Sequence, residues 1–139
     1  MMNVLVLCTG NSCRSQMAEG YLRHFGAGLA NIYSAGIETH GLNPKAVSVM
    51  AEDGIDISKH TSNHIEEYAD LPIDYVITVC DHAKEHCPYF PAKAEMLHQN
   101  FPDPAKQRGD EVDVMTAFRN VRDQIRTFCE EFVYSKLGI

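Results

Sequence analysis

The 139 residues suffice for one packed core and fall short of two, so a single domain over 1–139 is expected. A net charge of −7 argues against nucleic-acid binding, which rests on clustered Lys and Arg, and 45% hydrophobic with 22% charged residues argues against disorder or a coiled coil. No apolar run nears the roughly eighteen residues of a membrane span, and the N-terminus lacks the length and basic start of a secretion signal, so a cytoplasmic monomer with no membrane partner is expected.

Residues 3–7, Asn-Val-Leu-Val-Leu, form a short apolar run that breaks into the polar turn opening at Cys8: a buried strand entering a loop. From Ser15 onward Met17, Ala18, Tyr21, Leu22 and Phe25 recur at helical spacing, and Gly26 and Gly28 end the run. Residues 32–34 read as a second strand. Asn43 followed by Pro44 is an N-cap with proline at the first helical position, opening a helix to about Glu52 that Gly54 stops. Residues 74–79 are the clearest later strand and 95–98 a weaker one. A long helix over 112–133 would bury Met115, Phe118, Val121, Ile125, Phe128 and Phe132. Strands alternating with helices predict a doubly wound α/β domain with a four-stranded parallel sheet flanked by helices. Ligands collect beyond the carboxyl ends of such strands, and Cys8 and Cys80 both fall at such ends.

The segment CTGNSCRS, Cys8 to Ser15, sets a cysteine and an arginine five residues apart between a strand and a helix. The backbone N–H groups of Thr9, Gly10, Asn11, Ser12, Cys13, Arg14 and Ser15, with the positive end of the helix, suit a tetrahedral oxyanion. Gly10 eases the turn and Arg14 offers a planar fork to two oxygens at once. The same field should lower the pKa of Cys8 from about 8.5 into the range of roughly 3.5–7.5 seen at helix N-termini, making it a nucleophile. Ser15 is placed to donate to that thiolate and Asn11 to hold the loop's shape. The plainer reading is a buried Cys8 and a surface Arg14.

Five cysteines, an odd number, without an export signal speak against a disulfide framework and for metal or redox chemistry. Cys80 and Cys87, with His82 and His86 between them, admit two readings. A thiol pair can give up two electrons on becoming a disulfide, whereas two Cys and two His can bind zinc. Against zinc, one short segment would supply all four ligands at an unfamiliar spacing. Cys129, at helical spacing with Ile125 and Phe132, reads as core, and the remaining histidines as solvated surface.

At Cys8 to Met17, CTGNSCRSQM, the chain resembles the low-molecular-weight protein tyrosine phosphatase superfamily, and more closely its thioredoxin-coupled arsenate reductase branch. The similarity extends through Ser34-Ala35-Gly36, the Cys80 segment, Asp103-Pro104-Ala105 and the last helix. It implies a flavodoxin-like fold, arsenate as substrate, and phosphate or sulfate as competing oxyanions. It also implies a catalytic set of Cys8, Arg14, Cys80, Cys87 and Asp103. Cys8 would attack arsenic while Asp103, between two prolines on a stiff loop, protonates the leaving hydroxyl. Cys80 would then attack Cys8 and release arsenite, and Cys87 would attack Cys80, leaving a bridge that thioredoxin reduces. Cys13 would carry no electrons. No tightly bound cofactor is implied; some relatives hold a potassium ion through positions matching Asn11, Glu19, Ser34 and Asn63, where a carboxylate is replaced by an amide that should weaken the site. A hydrolytic phosphatase is the nearest competing expectation, since it needs only Cys8, Arg14 and Asp103.

One expectation comes from geometry. If residues 80–87 were helical, their ends would lie about 10 Å apart, beyond the roughly 7 Å a disulfide tolerates, so this segment must unwind when bridged. Equal hydrogen-exchange protection over 80–98 in the oxidised and reduced protein would refute this.

Overall fold

The structure, a computed structural model, describes residues 1–81 and 94–138. The expectations placed on Cys87, on zinc binding by residues 80–87 and on the unwinding of that segment lie outside the described residues.

The first strand, β1, runs Met2–Cys8 and hands over through the expected loop to α1, Arg14–Phe25. Strand β2 is Ala30–Gly36, two residues longer at each end than its apolar centre suggested. Helix α2, Pro44–Glu52, starts as the sequence indicates: the Asn43 side chain accepts from the N–H groups of Lys45 and Ala46. Strands β3, Tyr75–Thr78, and β4, Glu95–His98, follow, and helix α3, Glu111–Lys136, closes the chain. Asp110 caps α3 by accepting from the N–H of Asp113, so the helix begins one residue before the expected start. Along α3, Phe118, Val121, Ile125, Cys129 and Phe132 are buried as its periodicity demands. Met115 and Phe128 only lean on this core, so the apolar stripe is narrower than expected.

All strand pairs are parallel, in the order β2-β1-β3-β4. Val4, Leu5, Val6 and Leu7 of β1 are wholly inaccessible, so both faces of the sheet are covered at its centre, as parallel strands require. The chain leaves β1 toward β2 on one side and later returns to β3 on the other. The carboxyl edge between β1 and β3 is therefore the switch point of the sheet, where such folds leave a crevice. Cys8 ends β1 there, and Cys80 lies two residues past β3. Among the described residues, no helix is long and apolar enough to cross a membrane.

Candidate active site

The loop between β1 and α1 owes its shape to where its carbonyls go. The carbonyl of Cys8 accepts from Ile37 N–H, that of Thr9 from Glu38 N–H and that of Gly10 from His40 N–H. Ser12 accepts from Asn43 N–H, Cys13 from Met17 N–H and Asn11 from the Gln16 amide. Every carbonyl from Cys8 to Cys13 is thus drawn outward. In a planar trans peptide the next N–H points the opposite way, so the N–H groups of residues 9–14 face inward. Cys13, the N-cap of α1, contributes no side-chain cap, and the first turn of α1 holds no acidic residue. What results is a positively polarised cradle at a helix N-terminus, open to a cavity of about 520 Å³.

Asn11, not Gly10, takes the left-handed backbone conformation, with φ of 47°. Its fully buried side chain donates to Ser15 Oγ and Ser34 Oγ, each at 2.9 Å, and accepts from Asn63 N–H at 2.7 Å. All its hydrogen-bonding capacity is used in holding the loop. Because Ser15 Oγ accepts from Asn11, its own proton is left to donate elsewhere. Gly10 is needed for a different reason: a Cβ there would lie 2.3 Å from His40 Nδ1. Gly36 is more constrained still, since its Cβ would press on the backbone of Glu38, Asn11 and Thr9.

Arg14 reaches across the crevice, donating to the Phe101 carbonyl at 2.9 Å, with Asp103 Oδ2 3.7 Å from its Nη2. Asp103 Oδ1 accepts from Ala105 N–H and so caps the short turn Pro104–Lys106, which fixes the carboxyl at the cavity wall. Cys80, 3% exposed, lines the same cavity as Cys8, with its sulfur 3.3 Å from Thr9 Oγ1. The structure therefore gathers Cys8, Thr9, Gly10, Ser12, Cys13, Arg14, Cys80 and Asp103 around one cavity, whereas Asn11 and Ser15 are fully buried and do not line it.

The expected lowering of the Cys8 pKa is reversed in this arrangement. The contact with Cys80 and then burial hold the Cys8 thiol well above its ordinary value, while Arg14 and the N–H of Thr9 pull it down. Two neighbouring thiols in one buried site cannot readily both ionise. Cys13 is pushed up to about 12 by burial and then by Asp103, against Arg14, which makes it a poor nucleophile. Cys129 is fully buried with its sulfur 3.7 Å from the Ala18 carbonyl, a core residue as read from its spacing.

Behind the loop, Asn11, Glu19, Ser34 and Asn63 do come together, but not as a cation site. Ser34 Oγ donates to Glu19 Oε1 at 2.5 Å, and Arg23 Nε donates to Glu19 Oε2 at 2.8 Å. Asn63 turns its amide oxygen to Thr61 and its amide nitrogen to Glu67. The guanidinium already balances the one carboxylate of the set, so potassium does not fit these residues as arranged. Two histidines read as surface groups prove otherwise. His60 is half-buried between Gln16 and Glu19, with burial pulling its pKa down, and His98 bridges Thr78 and Asp81. Single histidines far apart in sequence gave no signal of either role.

A strand ending in a nucleophilic sulfur, a cradle of N–H groups, an arginine and a facing carboxyl define a cysteine-dependent oxyanion enzyme. The model of the low molecular weight phosphotyrosine protein phosphatase family matches residues 3–138, and the chain belongs to that family. It is similar to the arsenate reductase of Halalkalibacterium halodurans, 47% identical over 131 residues, 91% of this chain and 94% of the relative. The arsenate reductase of Bacillus subtilis (strain 168) is 46% identical over 129 residues, 93% of each chain. Among solved structures, an arsenate reductase in the phosphate binding state superposes with a TM-score of 0.81 at 33% identity, over 99% of this chain and 100% of the other. One in the oxidized state gives 0.82 at 33% identity, over 96% and 98%.

Proposed function

We propose that the protein reduces arsenate to arsenite in the cytosol, with its own thiols as the immediate reductant and thioredoxin as the external one. The observation that carries this reading is the second sulfur: Cys80 lines the same cavity as Cys8, beside the oxyanion cradle. Hydrolysis needs no such neighbour, whereas a two-electron reduction does. The similarity to arsenate reductases points the same way.

Arsenate enters the cradle, where the inward N–H groups and Arg14 hold its oxygens. The Cys8 thiolate attacks arsenic, forming a sulfur–arsenic bond, and Asp103 gives a proton to the departing hydroxyl, which leaves as water. Cys80 gives up its proton as it becomes the attacking sulfur. Cys80 then attacks the Cys8 sulfur: the sulfur–sulfur bond forms, the sulfur–arsenic bond breaks, and its electron pair reduces arsenic(V) to arsenic(III). Cys87 attacks Cys80, frees Cys8 as a thiolate, and leaves a bridge that thioredoxin reopens. No resident metal takes part.

Cys8, Arg14 and Asp103 also suffice for a phosphatase, so slow hydrolysis of an aryl phosphate is expected beside the reduction. The deciding measurement is arsenate-dependent NADPH oxidation with thioredoxin and its reductase. Wild type should turn over continuously, Cys87→Ser should stop after about one arsenite per molecule, and Cys8→Ser and Cys80→Ser should form none. Undiminished multiple turnover by Cys87→Ser would refute the relay.

A further inference from the structure

Just past Cys80, Thr78, His98 and Asp81 form a hydrogen-bonded chain that neither oxyanion binding nor proton donation uses. His98 Nδ1 lies 2.7 Å from Thr78 Oγ1, and His98 Nε2 lies 2.7 Å from Asp81 Oδ1. The backbone N–H of Asp81 donates to Asn100 Oδ1 at 3.1 Å. The residue following Cys80 is therefore held twice, by its side chain and by its main chain. Both holds come from residues at the end of β4 or just past it. That stretch is itself fastened to the end of β3, by Gln99 N–H on the Thr78 carbonyl and Phe101 N–H on the Val79 carbonyl. It also carries the Phe101 carbonyl that accepts from Arg14.

Thr78 makes the chain indifferent to the charge on the imidazole. A neutral ring protonated at Nε2 accepts the Thr78 hydroxyl at Nδ1. A charged ring donates there, and the hydroxyl turns to the Leu97 carbonyl 3.4 Å away. In both states Nε2–H is directed at Asp81.

We propose that His98, acting through Asp81, is a positioning residue for the sulfur exchange: it holds the chain beside Cys80 so that the sulfur of Cys80 rests against Cys8. The proposal rests on the reading of Cys8 and Cys80 as exchanging partners. In that step the Cys80 thiolate displaces arsenic from the Cys8 sulfur. The two sulfurs are oxidised to a disulfide, and the electron pair of the broken bond reduces arsenic, so no other oxidant or reductant enters. Displacement at sulfur needs the attacking atom aligned behind the bond that breaks, and small misplacements are costly in rate. Asp81 is 69% exposed, and an ion pair so open to solvent contributes little to the stability of the fold. Its loss changes the share of molecules with Cys80 poised, not the scaffold.

The test measures the rate of arsenite release in a single turnover, beside the Kd for inorganic phosphate, for the full chain and five variants. His98→Ala and Asp81→Ala should slow release by roughly 3- to 10-fold without weakening phosphate binding. His98→Gln keeps a donor near the Nε2 position and Asp81→Asn keeps an acceptor oxygen, so both should recover most of the rate. The double alanine variant should be no slower than the slower single. Equal rates in all variants, or a loss of phosphate affinity matching the loss of rate, would overturn the proposal alone. A wild type that forms no arsenite overturns the proposed function, and this inference with it.

Discussion

Cys8 and Cys80 line one cavity, yet its two sides are built differently. The loop carrying Cys8 is fixed by a buried set: six outward carbonyls each engaged, a fully inaccessible Asn11 bonded three ways, and Gly36 leaving no room for a Cβ. Among the described residues, Asp81, the position after Cys80, is held at the surface through an exposed carboxylate on His98 and a backbone hydrogen bond to Asn100. The difference follows the chemistry. A cradle that recognises a tetrahedral anion must keep its donors in place through every step, and buried polar networks that are fully satisfied rigidify. In the proposed relay, a sulfur that reacts first with Cys8 and then with Cys87 needs a hold that is specific but light.

The sharpest way to break this contrast is Gly36→Ala. The added methyl meets backbone that cannot move without opening the loop, so phosphate binding should fall by about 100-fold or more and stability by about 1–3 kcal/mol. Isothermal titration and thermal unfolding read the two, and unchanged affinity would show that the loop is less rigid than described. Asn11→Ala comes next. It strands buried partners and puts a β-carbon at positive φ without the amide's compensation, a cost of about 2–4 kcal/mol. Urea unfolding measures it, and a loss near zero would place the loop's rigidity elsewhere. The variants of His98 and Asp81 should act in the opposite manner, slowing sulfur exchange while leaving urea midpoints near wild type. The smallest effect expected is that of replacing potassium by sodium at constant ionic strength, because Arg23 already balances Glu19. Steady-state rates within about 1.5-fold of each other are expected, and strong potassium activation would mean that Arg23 can be displaced.

Much of the cradle was legible in the sequence because its parts are contiguous. Cys8 to Ser15 lie on one turn between an apolar strand and an amphipathic helix, so the placement of Cys8 and Arg14 follows from local order. Asp103 was singled out by the family resemblance more than by its own surroundings, and the structure sets it on the wall of the same cavity. Local pattern gave no sign that Asn11 takes the positive φ of the turn, since bonds that secure it come from Ser34 and Asn63 far along the chain. The protonation of Cys8 was misjudged for a related reason. Helix end and arginine are local and lower its pKa, but the contact with Cys80, 72 positions away, outweighs them.

The sequence by itself determined the alternation of strands and helices, the cap at Asn43, the loop that binds an anion and the chemistry of the residues in it. All of these depend on neighbours within a turn or a strand, where hydrogen bonding and hydrophobic period act at short range. Only the tertiary structure decided that β1 and β3 adjoin, and so that Cys8 and Cys80 share one cavity. It alone set Arg23 against Glu19 as the balancing charge and placed His98 over the residue after Cys80. Those pairings depend on strand order and register, which emerge from burying the sheet on both faces and are encoded at no single position of the chain.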